Sequence, residues 1–179
     1  MDSIVAVKEK YHLSINALND INKLLKGDYD TSQDIKLRDN TFKILVNNGV
    51  KDLPMLMNSS HILENILTKN EAIKLKIFKK KTNYHGLGVK KFLEVIYSLD
   101  APELILKNKK CKDYIIVTKL YNNNFEQIIV PIYIETRGNY NNMEIDTNKI
   151  KTVYGKRNIN NYINQNIKIG KFIIVYNKK

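Results

Sequence analysis

Apolar residues recur at helical spacing in the first part of the chain and at strand spacing in the last. Ile15, Leu18, Ile21, Leu24 and Leu25 form one stripe of an amphipathic helix spanning about residues 3–26. Gly27 to Asp39 is polar and acidic, and Asp28-Tyr29-Asp30-Thr31-Ser32 reads as a turn or linker. A compact apolar patch, Phe42, Ile44, Leu45 and Val46, then runs into the turn signal Asn47-Asn48-Gly49. Leu53, Met55 and Met57 alternate as in a short strand, and Ser59 or Ser60 caps a helix bearing Ile62, Ile66 and Leu67. Val89, Phe92, Leu93, Ile96 and Leu99 have helical period, with Lys90, Lys91 and Glu94 on the other side. A second short helix is expected over Ala101 to Leu106, with Asp100 as cap and Pro102 in the first turn.

From Asp113 the period changes to two. Tyr114 to Leu120 is an almost continuous apolar strand, and Gln127 to Glu135 is a second, joined to it by a turn at Asn122-Asn123-Asn124. Arg137-Gly138-Asn139 is expected to close that strand. One or two more strands fall between Met143 and Lys156, a short helix over Ile159 to Ile167, and a last strand over Lys171 to Tyr176. The expected fold class is therefore α+β, with N-terminal helices followed by an antiparallel sheet of about four strands. The polar stretch suggests a division into a helical appendage and linker, 1–40, and an α+β domain, 41–179.

Charge sharpens that division. The 179 residues carry a net charge of +12, yet residues 1–60 hold eight basic and eight acidic side chains, so the whole excess lies in 61–179. A polyanion, an anionic surface or an acidic protein is the partner such a balance favours. The single cysteine, Cys111, excludes an internal disulfide, and three scattered histidines offer no zinc spacing. No signal peptide and no membrane span is expected, which makes the chain a cytoplasmic protein when synthesised.

The residues leave few chemistries open. There is no Walker loop, no dinucleotide-binding glycine pattern, no His-Glu-x-x-His and no Gly-x-Ser-x-Gly, so neither a cofactor nor a metal is expected. Between Lys74 and Lys91 stand seven lysines, including Lys79, Lys80, Lys81 and Lys90, no acid, and one histidine, His85. Imidazole exchanges protons near neutrality and clustered ammonium groups attract phosphate, a pairing suited to RNA cleavage without a metal. Such cleavage needs a base for the 2′-OH, an acid for the leaving 5′-oxygen, and donors for the phosphorane. His85 is a candidate base or acid. Thr152 and Tyr154 offer hydroxyls on one face of a strand, Lys156 and Arg157 cations at its end, and Glu135 a second candidate base beside Arg137. His61, in the first turn of a helix, reads as a surface or capping residue, and His12 is assigned no role.

The ordered blocks Leu53-Pro54-Met55-Leu56-Met57, Ser60-His61-Ile62, His85-Gly86-Leu87, Leu99-Asp100-Ala101-Pro102, Val130-Pro131-Ile132 and Val153-Tyr154-Gly155-Lys156 resemble the phage MuF C-terminal domain family over about residues 41–179. The resemblance implies the fold of the barnase, EndoU, colicin and RelE nucleases and the activity of a metal-independent ribonuclease toxin. By position it points to His85, Thr152, Tyr154 and Lys156. At Thr152 the family pattern often has serine, so a hydroxyl is kept and a methyl group added.

The leading expectation is thus a ribonuclease acting on RNA, with tRNA as a candidate substrate and an acidic immunity or antitoxin protein as a second partner. A basic binding module without catalysis is the first rival, with Tyr133, Tyr140 or Tyr154 as platforms for bases. An ADP-ribosyltransferase toxin built on Glu135 ranks last, since no Arg or His strand motif precedes that residue.

Overall fold

The computed structural model describes residues 11–178. The part of the expected first helix that falls on residues 3–10 lies outside them, and the described part is interrupted: residues 12–16 are turn and irregular chain, with His12 at φ 52° and Ile15 exposed. Among the described residues, α1 spans Ala17–Lys26 and is closed by Gly27 in the left-handed region, φ 81°. Its Ala17, Ile21 and Leu24 pack into the main hydrophobic core.

The sheet is where the structure departs from expectation. Instead of four antiparallel strands after the helices, it has eight strands of mixed direction, two of them early in the chain. These are β1 (Asp34–Arg38), β2 (Met55–Asn58), β3 (Leu104–Asn108), β4 (Asp113–Tyr121), β5 (Gln127–Tyr140), β6 (Met143–Ile150), β7 (Tyr154–Lys156) and β8 (Phe172–Asn177). Their order is β1-β2-β6-β5-β4-β3-β8, with β7 beside β5 below the end of β6. The β2–β6 pair is parallel, Met57 lying opposite Ile150, and the other pairs are antiparallel.

Each difference has a physical cause. Three of the five residues of β1 are charged, so it reads as linker, yet Ile35 and Leu37 point inward and are fully buried while Lys36 and Arg38 line the outer side of an edge strand. In β2, Met55, Leu56 and Met57 are all fully buried, because a strand between two others has no solvent side here. The expected helix over Ala101 to Leu106 is a turn followed by β3, held between β4 and β8. Ile105 faces one core and Leu106 the other, both with no exposure, and Asp100 binds Arg38 at 2.6 Å rather than capping a helix. Gly138 does not close β5. It sits opposite Ile145, where a Cβ would meet Leu56 Cδ2 at 2.7 Å, and the chain reverses only at Asn141 and Asn142, both left-handed.

The remaining helices are α2 (Lys43–Val46), α3 (Ser59–Ile66), α4 (Lys69–Lys74), α5 (Gly88–Ser98) and α6 (Ile159–Lys168). The main core lies on one face of the sheet, where Ile62 and Ile66 of α3 and Phe92 and Ile96 of α5 pack against Ile116, Val130 and Ile132. The opposite face is only half covered. There α6 lays Ile159, Tyr162, Ile163 and Ile167 over Ile115, Val117, Ile129 and Phe172, while Tyr133 remains exposed farther along β5. No described helix is long and apolar enough to cross a membrane.

Candidate active site

The segment around His85 is fixed by the end of α3. Three successive backbone N–H groups, of His85, Gly86 and Leu87, donate to the carbonyls of Glu64, Leu67 and Asn65 at 2.8, 3.0 and 3.0 Å. A helix end leaves such carbonyls without intrahelical partners, so the His-Gly-Leu block works as their cap from a distant part of the chain. Gly86 is required twice over: its φ is +61°, and a Cβ would stand 2.8 Å from Thr68 Cγ2. Thr68 has little room to yield, being the capping-box residue of α4 with Glu71.

Asn65, with no exposure, holds the second wall. Its Oδ1 accepts from the Val153 N–H at 2.7 Å, while its Nδ2 donates to the His61 carbonyl at 2.5 Å and reaches Thr152 Oγ1 at 3.5 Å. The strand after Val153 therefore begins at a fixed place, and Tyr154 projects where its ring stacks on His85, centroids 6.2 Å apart and planes 24° apart. A cleft of about 410 Å³ opens between these walls, lined by Glu64, Lys81, His85, Thr152 and Tyr154.

The electrostatics of the pair are complementary. His85 keeps part of its surface in solvent, but the partial burial of its ring pulls its pKa below the usual imidazole value, favouring the neutral form. Burial raises the Tyr154 pKa, against a smaller opposing pull from the Lys151 ammonium, so the phenol keeps its proton. At neutral pH the cleft thus presents a proton acceptor against a proton donor.

Not all the expected residues gather here. The cleft contains His85, Thr152, Tyr154 and Lys81. Lys156 follows Tyr154 on the same face of β7, two residues or about 7 Å on, but its Nζ lies over the Tyr162 ring at 4.5 Å and it lines a separate cavity with Arg157. Arg157 reaches Glu126 at 3.6 Å. Glu135 is elsewhere, at a bulge where β5 has two residues against Asn148 of β6. Its φ is 50°, its N–H donates to Asn148 Oδ1 at 2.7 Å, and its carboxylate faces Lys112 at 3.5 Å. Arg137 pairs with Asp146. Lys79 borders another cavity with Tyr84, and Lys80 and Lys90 are exposed. Sequence reasoning missed Asn65, Glu64 and Lys151. The helical period marks Asn65 as one turn beyond His61 on α3, but only the fold brings it to Val153.

Among the described residues no three His, Cys, Asp or Glu side chains gather where they could hold a metal. The Phage MuF-C-terminal domain family matches the chain over residues 76–179, more than half its length. The chain belongs to that family. No curated protein and no solved structure matches it. The matched region of this MuF C-terminal domain begins after α4, later than the resemblance at about residue 41 suggests, and includes His85, Thr152 and Tyr154. Asn65 and the carbonyls that hold His85 lie outside it.

Proposed function

We propose that this MuF C-terminal domain is a ribonuclease effector that cleaves RNA by internal transesterification. The observation that carries the reading is the contact of His85 with Tyr154 in a cleft that also contains Thr152. Neutral His85 takes the proton of a 2′-OH, and the 2′-oxygen attacks the adjacent phosphorus. The bond from phosphorus to the 5′-oxygen breaks as Tyr154 gives its proton to that oxygen, leaving a 2′,3′-cyclic phosphate and a 5′-OH. Proton return from imidazolium to phenolate restores the pair. The Thr152 hydroxyl and the Lys81 ammonium donate to the phosphorane oxygens. An acidic immunity protein suits the basic charge of residues 61–179 as a partner.

The test is incubation with total RNA and with tRNA in EDTA, followed by detection of cyclic phosphate ends. Cleavage that His85→Ala and Tyr154→Phe each reduce at least a hundredfold is the expected result. Intact RNA at high protein concentration, together with normal growth of bacteria producing the chain, refutes the reading. Binding without cleavage would leave a nucleic-acid-binding module.

A further inference from the structure

A second groove, of about 450 Å³, adjoins the cleft on the half of the sheet that α6 leaves bare. Its walls include His61, Tyr133, Thr136, Arg137, Lys149 and Lys151. The two spaces share their framework. Lys151 borders the groove and Thr152, the next residue, borders the cleft; His61 borders the groove and Glu64, one turn along α3, borders the cleft. From Lys151 to Tyr154 the backbone spans at most ~10 Å.

The groove's cations are not equivalent. Lys149 is held by the buried Asp34 carboxylate at 2.7 Å, and Arg137 by Asp146 at 3.2 Å. No carboxylate pairs with Lys151 among the described residues. Its Nζ rests 3.8 Å from the centre of the Tyr133 ring, and that residue is 41% exposed. A half-exposed aromatic ring with an ammonium group over one face, the ammonium in no ion pair although Asp113 lies opposite Tyr133 on β4, offers the two contacts that a single-stranded nucleotide presents, a base face and a phosphate.

We propose that Tyr133 and Lys151 form a nucleotide subsite, in which a base of single-stranded nucleic acid stacks on Tyr133 and its phosphate meets Lys151, leading the next phosphate into the His85 cleft. The inference rests on the ribonuclease reading for what happens in the cleft. Any base has a face to stack, so the subsite selects for an unpaired strand and not for sequence. His61, Ser60 and Thr136 add further donors to the lining.

The test uses the full chain and a fluorescent 2′-O-methyl hexanucleotide, which lacks the attacking hydroxyl, with cleavage of the matching RNA measured in parallel. Tyr133→Ala is expected to weaken binding roughly tenfold and to raise KM with kcat little changed, whereas Tyr133→Phe keeps wild-type affinity. Lys151→Gln is expected to weaken binding and to reduce the slope of log affinity against log salt by about one. Cleavage with Tyr133→Ala binding at wild-type affinity overturns the subsite and leaves the reaction. Binding that depends on Tyr133 without cleavage overturns the reaction and supports the subsite. Absence of both overturns both, and a circular dichroism spectrum matching wild type shows that a weak variant is folded.

Discussion

Replacing Gly86 with alanine tests the architecture that holds His85. Two costs are visible. A left-handed backbone costs a residue with a Cβ about 1–2 kcal/mol, and Gly86 has φ +61°. The new methyl would also stand 2.8 Å from Thr68 Cγ2, an overlap that adds about 1 kcal/mol at a site fixed by hydrogen bonds. Gly86→Ala is therefore expected to destabilise the protein by about 2–3 kcal/mol. Equilibrium urea unfolding reads this as a lower midpoint at unchanged slope. Thr68→Ser separates the two costs, since it removes the offending methyl and keeps the hydroxyl that accepts from the Glu71 N–H at 3.2 Å. The double variant should recover about 1 kcal/mol of the loss and no more. A loss under about 0.5 kcal/mol for Gly86→Ala refutes the idea that the His-Gly-Leu segment is a tight cap on α3. Full recovery in the double variant refutes the backbone part of the argument.

Three further outcomes follow from particular contacts. Asn65→Leu leaves the buried Val153 N–H without its acceptor and is expected to cost about 1–3 kcal/mol in urea unfolding; a neutral substitution would show that the Thr152–Tyr154 segment is held otherwise. Lys149→Met strips the ammonium from Asp34, whose side chain is only 4% exposed; a loss of about 3 kcal/mol is expected by thermal or urea unfolding, and a stabilised variant would contradict it. Because burial lowers the His85 pKa below 6.5, the unfolded chain binds more protons than the folded one between those two values, so the contribution is complete above about pH 6.5 and declines as pH falls towards the folded value. Unfolding midpoints of wild type and His85→Asn, compared from pH 8 to pH 5, should therefore diverge on acidification with the wild type falling faster; parallel curves would mean that His85 titrates as in the unfolded chain.

Residues with a simple period were legible in the sequence; a charged edge strand, a strand that opens like a helix and a long-range pairing were not. The helices α3 and α5 show one apolar stripe because each buries a single face, and β4 and β5 read as strands from their β-branched runs. β1 and β3 failed for opposite reasons: a charged edge strand looks like a linker, and Leu104-Ile105-Leu106 after Asp100-Ala101-Pro102 looks like a helix start. A parallel pairing such as β2 with β6 leaves no local mark, since its partners are about 90 residues apart. His85, Thr152 and Tyr154 were selected as residue types around a family block, and the fold brings them to one cleft. Lys156 is expected beside them as a strand-end cation and as the last residue of the Val153-Tyr154-Gly155-Lys156 block, but α6 offers its ammonium the Tyr162 ring instead.

The placement of His85 depends on more of the chain than its family match covers. Residues 76–179 include the histidine and the strand it faces, but the acceptors of its backbone segment are carbonyls of Glu64, Asn65 and Leu67, and the Asn65 side chain anchors Val153. These belong to α3 and its end, and α3 follows directly from β2, whose parallel pairing with β6 fixes the helix start above Ile150. β2 therefore supports both walls of the cleft, through α3 that of His85 and through β6 that of Thr152. The spacing of His85 from Tyr154 is a property of that common support: the Glu64, Asn65 and Leu67 carbonyls hold the segment of one residue, and the Asn65 side chain anchors that of the other.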